Sequence, residues 1–597
     1  MNVPGTQPWA AQDLIERLAS VKNRFTPADR DAKISALRAL QTLEIRDVSS
    51  LILFHEALCF IRAYPDSPDV LRLAEEALAG FAARVDRLKA SCRPSDLKKL
   101  RDTGIAHTTT YYPYPHAMAT WLVENFPGDV ELDWEDEEGL DKIRSILPFT
   151  VAYAENDALD DEQISLRDWV RAAKGDRRGS DLQWLLEALD GSSLPSDGAR
   201  TLYDGAELLV GWKLREAANS RTLAKFPAKR IFYHTEMLSR TQVDFLREVQ
   251  KPLLGLKRVS TATGKLLIHL FRAAVSVRNR ELYPLLYANP QDVWLADLER
   301  GIRIALVGVL PEARLPLESH YSHLILKNGI PIGYGGGSAL FDSLELAGNI
   351  FESFRQGESA YIFSQVYRTF FHLCGAPYLL VPRYQVGYEN EEALQSGAFW
   401  FYHKLGFRPE DPLVLALAQE EQEKIQTDPT YRSPREILRK LAQSDMSLTL
   451  NTESSTDCRI LQPGTLGLLV TQHITRNFHG DRNAAVRAAR RAVIRALGIS
   501  GWQRWSAPEQ MALERLSPIL VLIPDLPRWT PAEKRALARI IKAKGGRREA
   551  AYIGLLREHH RLARSLRELA NSATPLPVPR SGAGQTGPMP PGRSPGV

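Results

Sequence analysis

The sequence predicts an α+β protein of several domains, mainly helical, with one mixed α/β domain embedded between helical regions. Apolar residues recur at helical spacing through most of the first 300 residues and again after residue 410. Between these regions, short apolar runs of strand length alternate with helical patterns, which is typical of a mixed sheet. A chain of 597 residues is also too long for one compact core, because domains usually hold about 100 to 200 residues.

The composition is that of a globular protein rather than a disordered one. Hydrophobic residues make up 44% of the chain and charged residues 25%, so a sizeable core is expected. The net charge of +5 is small for a chain with 76 basic and 71 acidic residues. A surface of this balance does not require a nucleic acid or an anionic membrane as partner.

Cysteine usage and hydropathy both predict a cytoplasmic protein. The amino terminus lacks a basic segment followed by an apolar core, so no signal peptide is expected. The most apolar run, SPILVLIPDLP (517–527), is too short to cross a bilayer. The cysteines are scattered and form no CxxC pair, which favours reduced thiols. They are Cys59, Cys92, Cys374 and Cys458. No membrane partner is expected.

Residues 1–300 are predicted to form a mainly helical region of one or two subdomains. Ser67 precedes Pro68 and an apolar stripe that runs from Leu71 to Leu88, a combination typical of a capped helix start. No fixed-period repeat is found, so a repeat solenoid is not supported. The Tyr- and Pro-rich segment between about 100 and 150, with its acidic patch, is expected to be a surface connection.

Residues 301–410 are predicted to form the α/β domain. IRIALVGVL has strand length, and two further apolar runs are joined by Asn328-Gly329, a strong hairpin signal. SLELAGNIFESF is predicted as a strand, YIFSQVYRTFFHLCG as a helix ending at Gly375, and YLLVPRYQV as a strand. EEALQSGAFWFYHKLGF is predicted as one helix that leads into a final strand. From the hairpin onward, the resulting order is β-β-β-α-β-α-β.

Residues 411–572 return to helical patterns. The segments 482–496 and 531–548 are basic, but their interleaved apolar residues predict amphipathic helices with a solvated basic face. A contact with nucleic acid is the less favoured interpretation of these segments. Residues 573–597 are rich in Pro and Gly and have little to bury, so they are predicted to be a disordered tail.

The end of the α/β segment carries a recognisable motif. Ala398 is followed by Phe401-Tyr402 and then by Gly406-Phe407. With the predicted element order and the hairpin KNGIPIGY, the segment resembles the GCN5-related N-acetyltransferases, or GNAT fold, over about a fifth of the chain. Gln395 stands where that family usually has an Asn. The resemblance implies an acyltransferase with acetyl-CoA as co-substrate and an amine, not identified by the sequence, as acceptor.

The resemblance also implies where acetyl-CoA would bind. A turn of small residues between a strand (349–354) and the next helix brings backbone N–H groups to the pyrophosphate, and the helix dipole adds attraction. An arginine in the turn adds a charge-assisted contact. The expected binding residues are Phe354, Arg355, Gln356, Gly357, Glu358, Ser359, Ala360 and Gln395.

Acyl transfer to an amine needs a base for the amine proton, donors for the oxyanion and an acid for the leaving thiolate. By resemblance, Tyr402 is the acid. Glu352, on the predicted strand before the turn, is the candidate base. A backbone N–H near Phe354 would donate to the oxyanion.

Other motifs give no site. GYGGGSAL (333–340) matches neither a phosphate loop nor a nucleophile elbow, and its glycines are better explained by close packing or by a bound ligand. His320 and His323 would point to opposite faces of a strand, and His559-His560 diverge on a helix. No metal site is therefore expected.

Two alternatives to an enzyme remain open from the sequence. One is a GNAT fold that no longer catalyses and serves as a binding or assembly module, which the single glycine and the acidic Glu358 in the turn would favour. The other is a helical scaffold that binds nucleic acid through residues 482–548, with strongly salt-dependent affinity.

Overall fold

The computed structural model describes residues 10–280, 282–428, 430–450 and 461–572. These residues form an α+β protein that is mainly helical and contains a mixed sheet, as the sequence predicts. The predicted tail at 573–597 and Cys458 lie outside the described residues. Cys59, Cys92 and Cys374 are free thiols.

The amino-terminal helices pack directly onto the rest of the molecule. They are α1 (Ala11–Val21), α2 (Pro27–Thr42), α3 (Val48–Ala63), α4 (Pro68–Ala79), α5 (Phe81–Ser91) and α6 (Pro94–Leu97). As predicted, Ser67 caps α4 by accepting a hydrogen bond from the Val70 N–H. Helix α3 is buried along most of its length, and Phe54 and Leu58 belong to the same apolar core as the large sheet described below.

Residues of about 100–215 form a unit with its own core instead of the expected surface connection. The elements are β1 (Thr109–Tyr112), α7 (His116–Asn125), β2 (Val130–Leu132), α8 (Glu137–Ile146), α9 (Asn156–Asp160), α10 (Leu166–Lys174), α11 (Asp181–Asp190), α12 (Ser196–Ala206) and β3 (Val210–Lys213). The described strands pair antiparallel in the order β1-β3-β2. Tyr114 of the Tyr- and Pro-rich segment and Trp212 of β3 are both buried in this core.

The large mixed sheet lies at the centre of the chain. Its elements are α13 (Phe245–Gln250), β4 (Lys257–Arg258), α14 (Thr261–Ser276), α15 (Tyr283–Leu286), β5 (Ala288–Asp297), β6 (Ile302–Val309), β7 (Ser319–Lys327), β8 (Ile330–Leu340), β9 (Ser343–Ile350), α16 (Ser359–Cys374), β10 (Tyr378–Val381), α17 (Arg383–Val386), α18 (Glu391–Ser396), α19 (Ala398–Lys404), β11 (Arg408–Pro409), α20 (Pro412–Thr427), α21 (Arg435–Leu441) and β12 (Met446–Thr449). Within the described residues the strand order is β11-β12-β10-β9-β8-β7-β6-β5-β4. The sheet therefore includes β4 and β5, which precede residues 301–410 in the chain, and β12, which follows them.

The hairpin between β7 and β8 is confirmed. Asn328 and Gly329 have φ angles of 49° and 85°, the left-handed conformations that a tight two-residue hairpin turn requires. The Asn328 side chain also donates to the Ala63 carbonyl oxygen at 3.0 Å, which ties the turn to the end of α3.

Three predicted elements end earlier than expected. The strand predicted to reach residue 354 stops at Ile350, and Glu352–Phe354 form a 3-10 turn. Strand β10 stops at Val381 because Pro382 has no N–H for a ladder hydrogen bond. The single helix predicted over EEALQSGAFWFYHK is divided into α18 and α19 at Gly397, whose φ of 68° ends the first helix.

The carboxy-terminal helices are α22 (Pro463–Phe478), α23 (Arg482–Leu497), α24 (Ala507–Leu520), α25 (Pro531–Lys544), α26 (Glu549–Arg557) and α27 (His560–Ser572). Helix α26 packs on β7 and β8. At its start, the Glu549 N–H donates to the buried Asp292 carboxylate at 2.8 Å, and the Glu549 side chain pairs with Arg314 at 3.3 Å. These contacts anchor the helical region to the sheet.

Candidate active site

The parallel pair β9–β10 is the part of the sheet that could open for a ligand. All other strand pairs of this sheet within the described residues are antiparallel. Only the first three residues of β9 pair with β10, the last pair being Glu345 with Leu380. Beyond that point β9 pairs with β8 alone as far as Ile350. The carboxyl end of such a pair is where open α/β sheets place their ligands.

The turn after β9 leads directly into the first turn of α16. Phe354 is buried, whereas Arg355 and Gln356 are exposed. The turn is closed by a hydrogen bond from the Gly357 N–H to the Phe354 carbonyl oxygen at 3.0 Å. The first N–H groups of α16 have no acceptor inside the helix and carry its positive dipole end. The backbone here is suited to an anion.

Glu358 is removed from the surface of this turn. Its side chain is buried, and its carboxylate pairs with Lys327 at 3.1 Å and with Arg300. It also accepts a hydrogen bond from the Leu238 N–H. Burial raises the pKa of Glu358, but Lys327 and Arg300 outweigh that effect and hold it below its usual range. The negative charge that stood against phosphate binding is therefore compensated inside the protein.

Arginines from distant parts of the chain surround the same turn. The Arg221 guanidinium donates to Ser353 Oγ at 2.8 Å, and that of Arg278 lies 3.9 Å from the Phe351 ring centroid. Arg280 and Arg355 both pair with Glu392 of α18. Burial, followed by the charge of Arg221, lowers the pKa of Arg278 to about 9. Sequence reasoning missed Arg221, Arg278 and Arg280 because they lie about 70 to 130 residues before the turn.

The remaining predicted binding residues lie in three different surroundings: the first turn of α16, the surface of α18 and a tight contact with Tyr64. Ser359 and Ala360 form the first turn of α16, as the proposed site requires. Gln395 is exposed on α18, and its amide donates to Glu391 in the same helix rather than to the turn. Gly357 has no room for a side chain, because a β-carbon there would lie 2.6 Å from the Tyr64 hydroxyl.

Tyr402 is buried on α19 among aromatic rings. Its ring centroid lies 5.8 Å from that of Phe407 and 6.3 Å from that of Phe363. Burial raises the pKa of Tyr402 well above its usual range, so the phenol stays protonated at neutral pH. Next to it in α16, burial and the charges of Tyr402 and Glu345 raise the pKa of Tyr367. Tyr402 and Tyr367 both pack against Phe407, whose ring centroid lies 5.8 Å and 5.6 Å from theirs.

The two carboxylates near the parallel pair differ in their surroundings. Glu352, predicted on a strand, lies exposed on the 3-10 turn instead. Glu345 is partly buried on β9, where pairing with β10 ends. Burial, with smaller contributions from Asp445 and Glu318, raises the pKa of Glu345 to about 7. Its position in an alternating strand pattern gave no signal in the sequence.

The glycine-rich strand β8 allows close packing. A β-carbon at Gly335 would lie 2.6 Å from the His323 ring, and one at Gly336 would lie 2.8 Å from the His320 ring. The two histidines pack against different residues, since His323 meets Phe370 and His320 bonds Ser338. Among the described residues, no group of three or more His, Cys, Asp or Glu side chains could hold a metal ion.

Comparisons with known proteins found no family, no curated protein and no solved structure that matches this chain. Within the described ranges, no helix combines the length and the apolar character needed to cross a membrane.

Proposed function

We propose that this protein transfers an acyl group, most simply acetyl, from acyl-CoA to an amine acceptor. The observation that carries the proposal is the short parallel pair β9–β10, joined by α16, with β12 returning between β10 and β11. The succession β9, α16, β10 agrees with the element order predicted from the sequence, whereas β12 lies beyond the predicted 301–410 segment. The acceptor amine is not identified, and the cytoplasmic location remains a prediction from the sequence.

The residues around the turn fit the anionic arm of acyl-CoA. The start of α16 offers backbone N–H groups, and Glu358 is neutralised by Lys327 and Arg300. Arg355 is exposed and Arg280 is partly exposed, and both pair with Glu392. Either guanidinium can exchange this partner for a phosphate oxygen, because arginine binds carboxylate and phosphate in the same geometry.

The reaction proceeds by direct attack. The amine nitrogen bonds to the thioester carbonyl carbon while a carboxylate takes the amine proton. The tetrahedral intermediate then collapses, the C–S bond breaks, and the thiolate takes the proton of Tyr402. The proton returns to the Tyr402 phenolate through solvent, directly or by way of the base. Burial raises the pKa of Tyr402, so the phenol carries its proton at neutral pH, although the same shift makes it a weaker donor.

Calorimetric titration of acetyl-CoA into the purified protein tests the binding step. We expect a dissociation constant in the micromolar range, lost when Gln356→Trp fills the exposed side of the turn. Gln356 is a better position for this block than Gly357, where any side chain would collide with Tyr64. The exposed Gln12→Trp, far along the chain on α1, is the matched control and should bind normally. A folded protein that binds neither acetyl-CoA nor a longer acyl-CoA would contradict the proposal.

The pH dependence of activity distinguishes the two candidate bases. We favour Glu345 over the sequence candidate Glu352, because a base with a pKa of about 7 is matched to neutral conditions. The carboxylate is the active form, so kcat/KM should rise with pH through about 7. Glu345→Gln should remove this rise and lower kcat about 100-fold or more. If Glu352→Gln has this effect and Glu345→Gln does not, the sequence assignment is correct.

A non-catalytic binding module is the second candidate function. The pairing of Arg355 with Glu392 and the burial of Tyr402 favour it. It predicts acyl-CoA binding without release of free thiol in the presence of any amine.

A further inference from the structure

The carboxy-terminal helical region is far more basic than the rest of the chain. Residues 461–572 contain 20 Lys and Arg but only 8 Asp and Glu, a net charge of +12. Because the whole chain has a net charge of +5, the remainder carries −7. Seventeen of the 20 basic residues are arginines. The nearly neutral total therefore hides a strong separation of charge, which is typical of proteins that bind a polyanion.

Helix α23 presents a row of arginines to solvent. Arg487, Arg491 and Arg495 are exposed and recur every four residues. Each stands two positions after a buried residue, and two positions turn an α-helix by about 200°, so the row lies opposite the core face. Among the described residues, none of the three forms an ion pair with a carboxylate. The buried row consists of Ala485, Ala489, Val493 and Leu497.

Helix α25 repeats this arrangement beside α23. Arg535 and Arg539 are exposed, while Leu537 and Ile541, two positions further on in each case, are buried. Helices α23 and α25 pack against each other. Arg487, Arg491, Arg495, Arg535 and Arg539 are called the basic surface below.

Two tryptophans in segment 498–506, which precedes α24, lie against side chains of α23 and α25. Arg490 of α23 lies 5.1 Å from the centroid of the Trp502 ring. Lys542 of α25 lies 5.3 Å from the centroid of the Trp505 ring. Both tryptophans are partly exposed. Arg490 also pairs with Glu514, and Lys542 with Glu509. Aromatic faces beside a basic surface are the combination that binds both the bases and the phosphates of a nucleic acid strand.

We propose that the basic surface binds nucleic acid through its phosphate backbone. Arginine predominates over lysine there, and its planar guanidinium matches phosphate oxygens in a bidentate geometry. Within 461–572, all of which is described, no large apolar side chain is strongly exposed, so the surface lacks the broad apolar face that an interfacial helix buries in a lipid bilayer. This inference does not depend on the acyltransferase proposal.

Fluorescence anisotropy with labelled single-stranded RNA and duplex DNA, each about 20 nucleotides long, tests the proposal on the full-length protein. We expect micromolar affinity in 50 mM salt, with log K falling linearly with log salt concentration by about 0.7 to 0.9 per phosphate contact. The triple variant Arg487→Ala, Arg491→Ala, Arg495→Ala should bind more than tenfold more weakly, with the slope reduced by about three.

The matched control is the triple variant Arg38→Ala, Arg177→Ala, Arg178→Ala. These arginines are also exposed but lie in the acidic remainder of the chain. The affinity of this control variant for both nucleic acids should equal that of the wild type. Equal losses in both triple variants, or no binding of either nucleic acid in 50 mM salt, would overturn the proposal. So would binding only to vesicles that contain phosphatidylserine, because that result assigns the basic surface to a membrane.

Discussion

Replacing Glu358 by alanine is expected to destabilise the protein by about 3 to 5 kcal/mol, the usual effect of removing one member of a buried ion pair. Lys327, which is fully buried, would lose its carboxylate partner at 3.1 Å, and Arg300 would lose the same group. Urea denaturation followed by tryptophan fluorescence measures the change in the free energy of unfolding.

Two controls separate the ion pair from other effects of the substitution. Glu358→Leu combined with Lys327→Met removes both charges and should recover most of the lost stability. Glu76→Ala breaks the exposed pair with Arg72 and should cost less than about 1 kcal/mol. If Glu358→Ala unfolds at the wild-type urea concentration, the buried network has no role in stability.

The contribution of Glu358 also has a defined pH dependence. Its pKa in the folded protein lies below the usual carboxyl value. The stabilisation is therefore present in full above the pKa of the unfolded chain and is lost as the pH falls through the folded pKa. The difference in stability between wild type and Glu358→Ala should shrink in acid.

Tyr402→Phe is expected to lower kcat about 100-fold or more while leaving the affinity for acetyl-CoA unchanged. The substitution removes one hydroxyl from a buried ring, so the packing against Phe363 and Phe407 is retained. Release of the free CoA thiol, followed with a panel of primary amines, measures the effect. The missing proton donor should slow this release for every amine that the wild type accepts.

The control for Tyr402→Phe is Tyr203→Phe. Tyr203 is also a buried tyrosine, but it lies in the separate core of the small three-stranded unit. Removing the Tyr203 hydroxyl should leave kcat unchanged. A wild-type kcat for Tyr402→Phe would show that the leaving thiolate takes its proton from another group.

Local features of the fold could be predicted from the sequence, because the interactions that form them lie close together in the chain. The Asn328-Gly329 turn requires only two residues with positive φ, and the cap at Ser67 requires only its own helix. Strand β5 and the small sheet were not predicted. The strands of the small sheet pair with partners far away in the chain, such as Tyr112 with Val210. Strand β5 pairs with the next strand, β6, but the connection between them contains no Asn-Gly or Asp-Gly hairpin signal.

The candidate site was predictable only where it is a continuous segment. The residues that begin α16 were found because they lie in one turn. The partners of Glu358 and the arginines around the turn come from separate parts of the chain, so no pattern in the sequence brings them together. The pKa of Glu345 depends on burial, which spacing alone does not reveal.

The position of β12 has a consequence for biosynthesis. Leu379 of β10 pairs with Leu448, so one edge of β10 stays open until the chain has been made beyond residue 449. During that interval, a strand with unpaired backbone groups and apolar side chains is available to other nascent chains. The helices α20 and α21 form in the intervening segment and shorten the distance that β12 must cover. Synthesis that stalls between residues 381 and 446 would therefore leave the ribosome carrying an aggregation-prone intermediate.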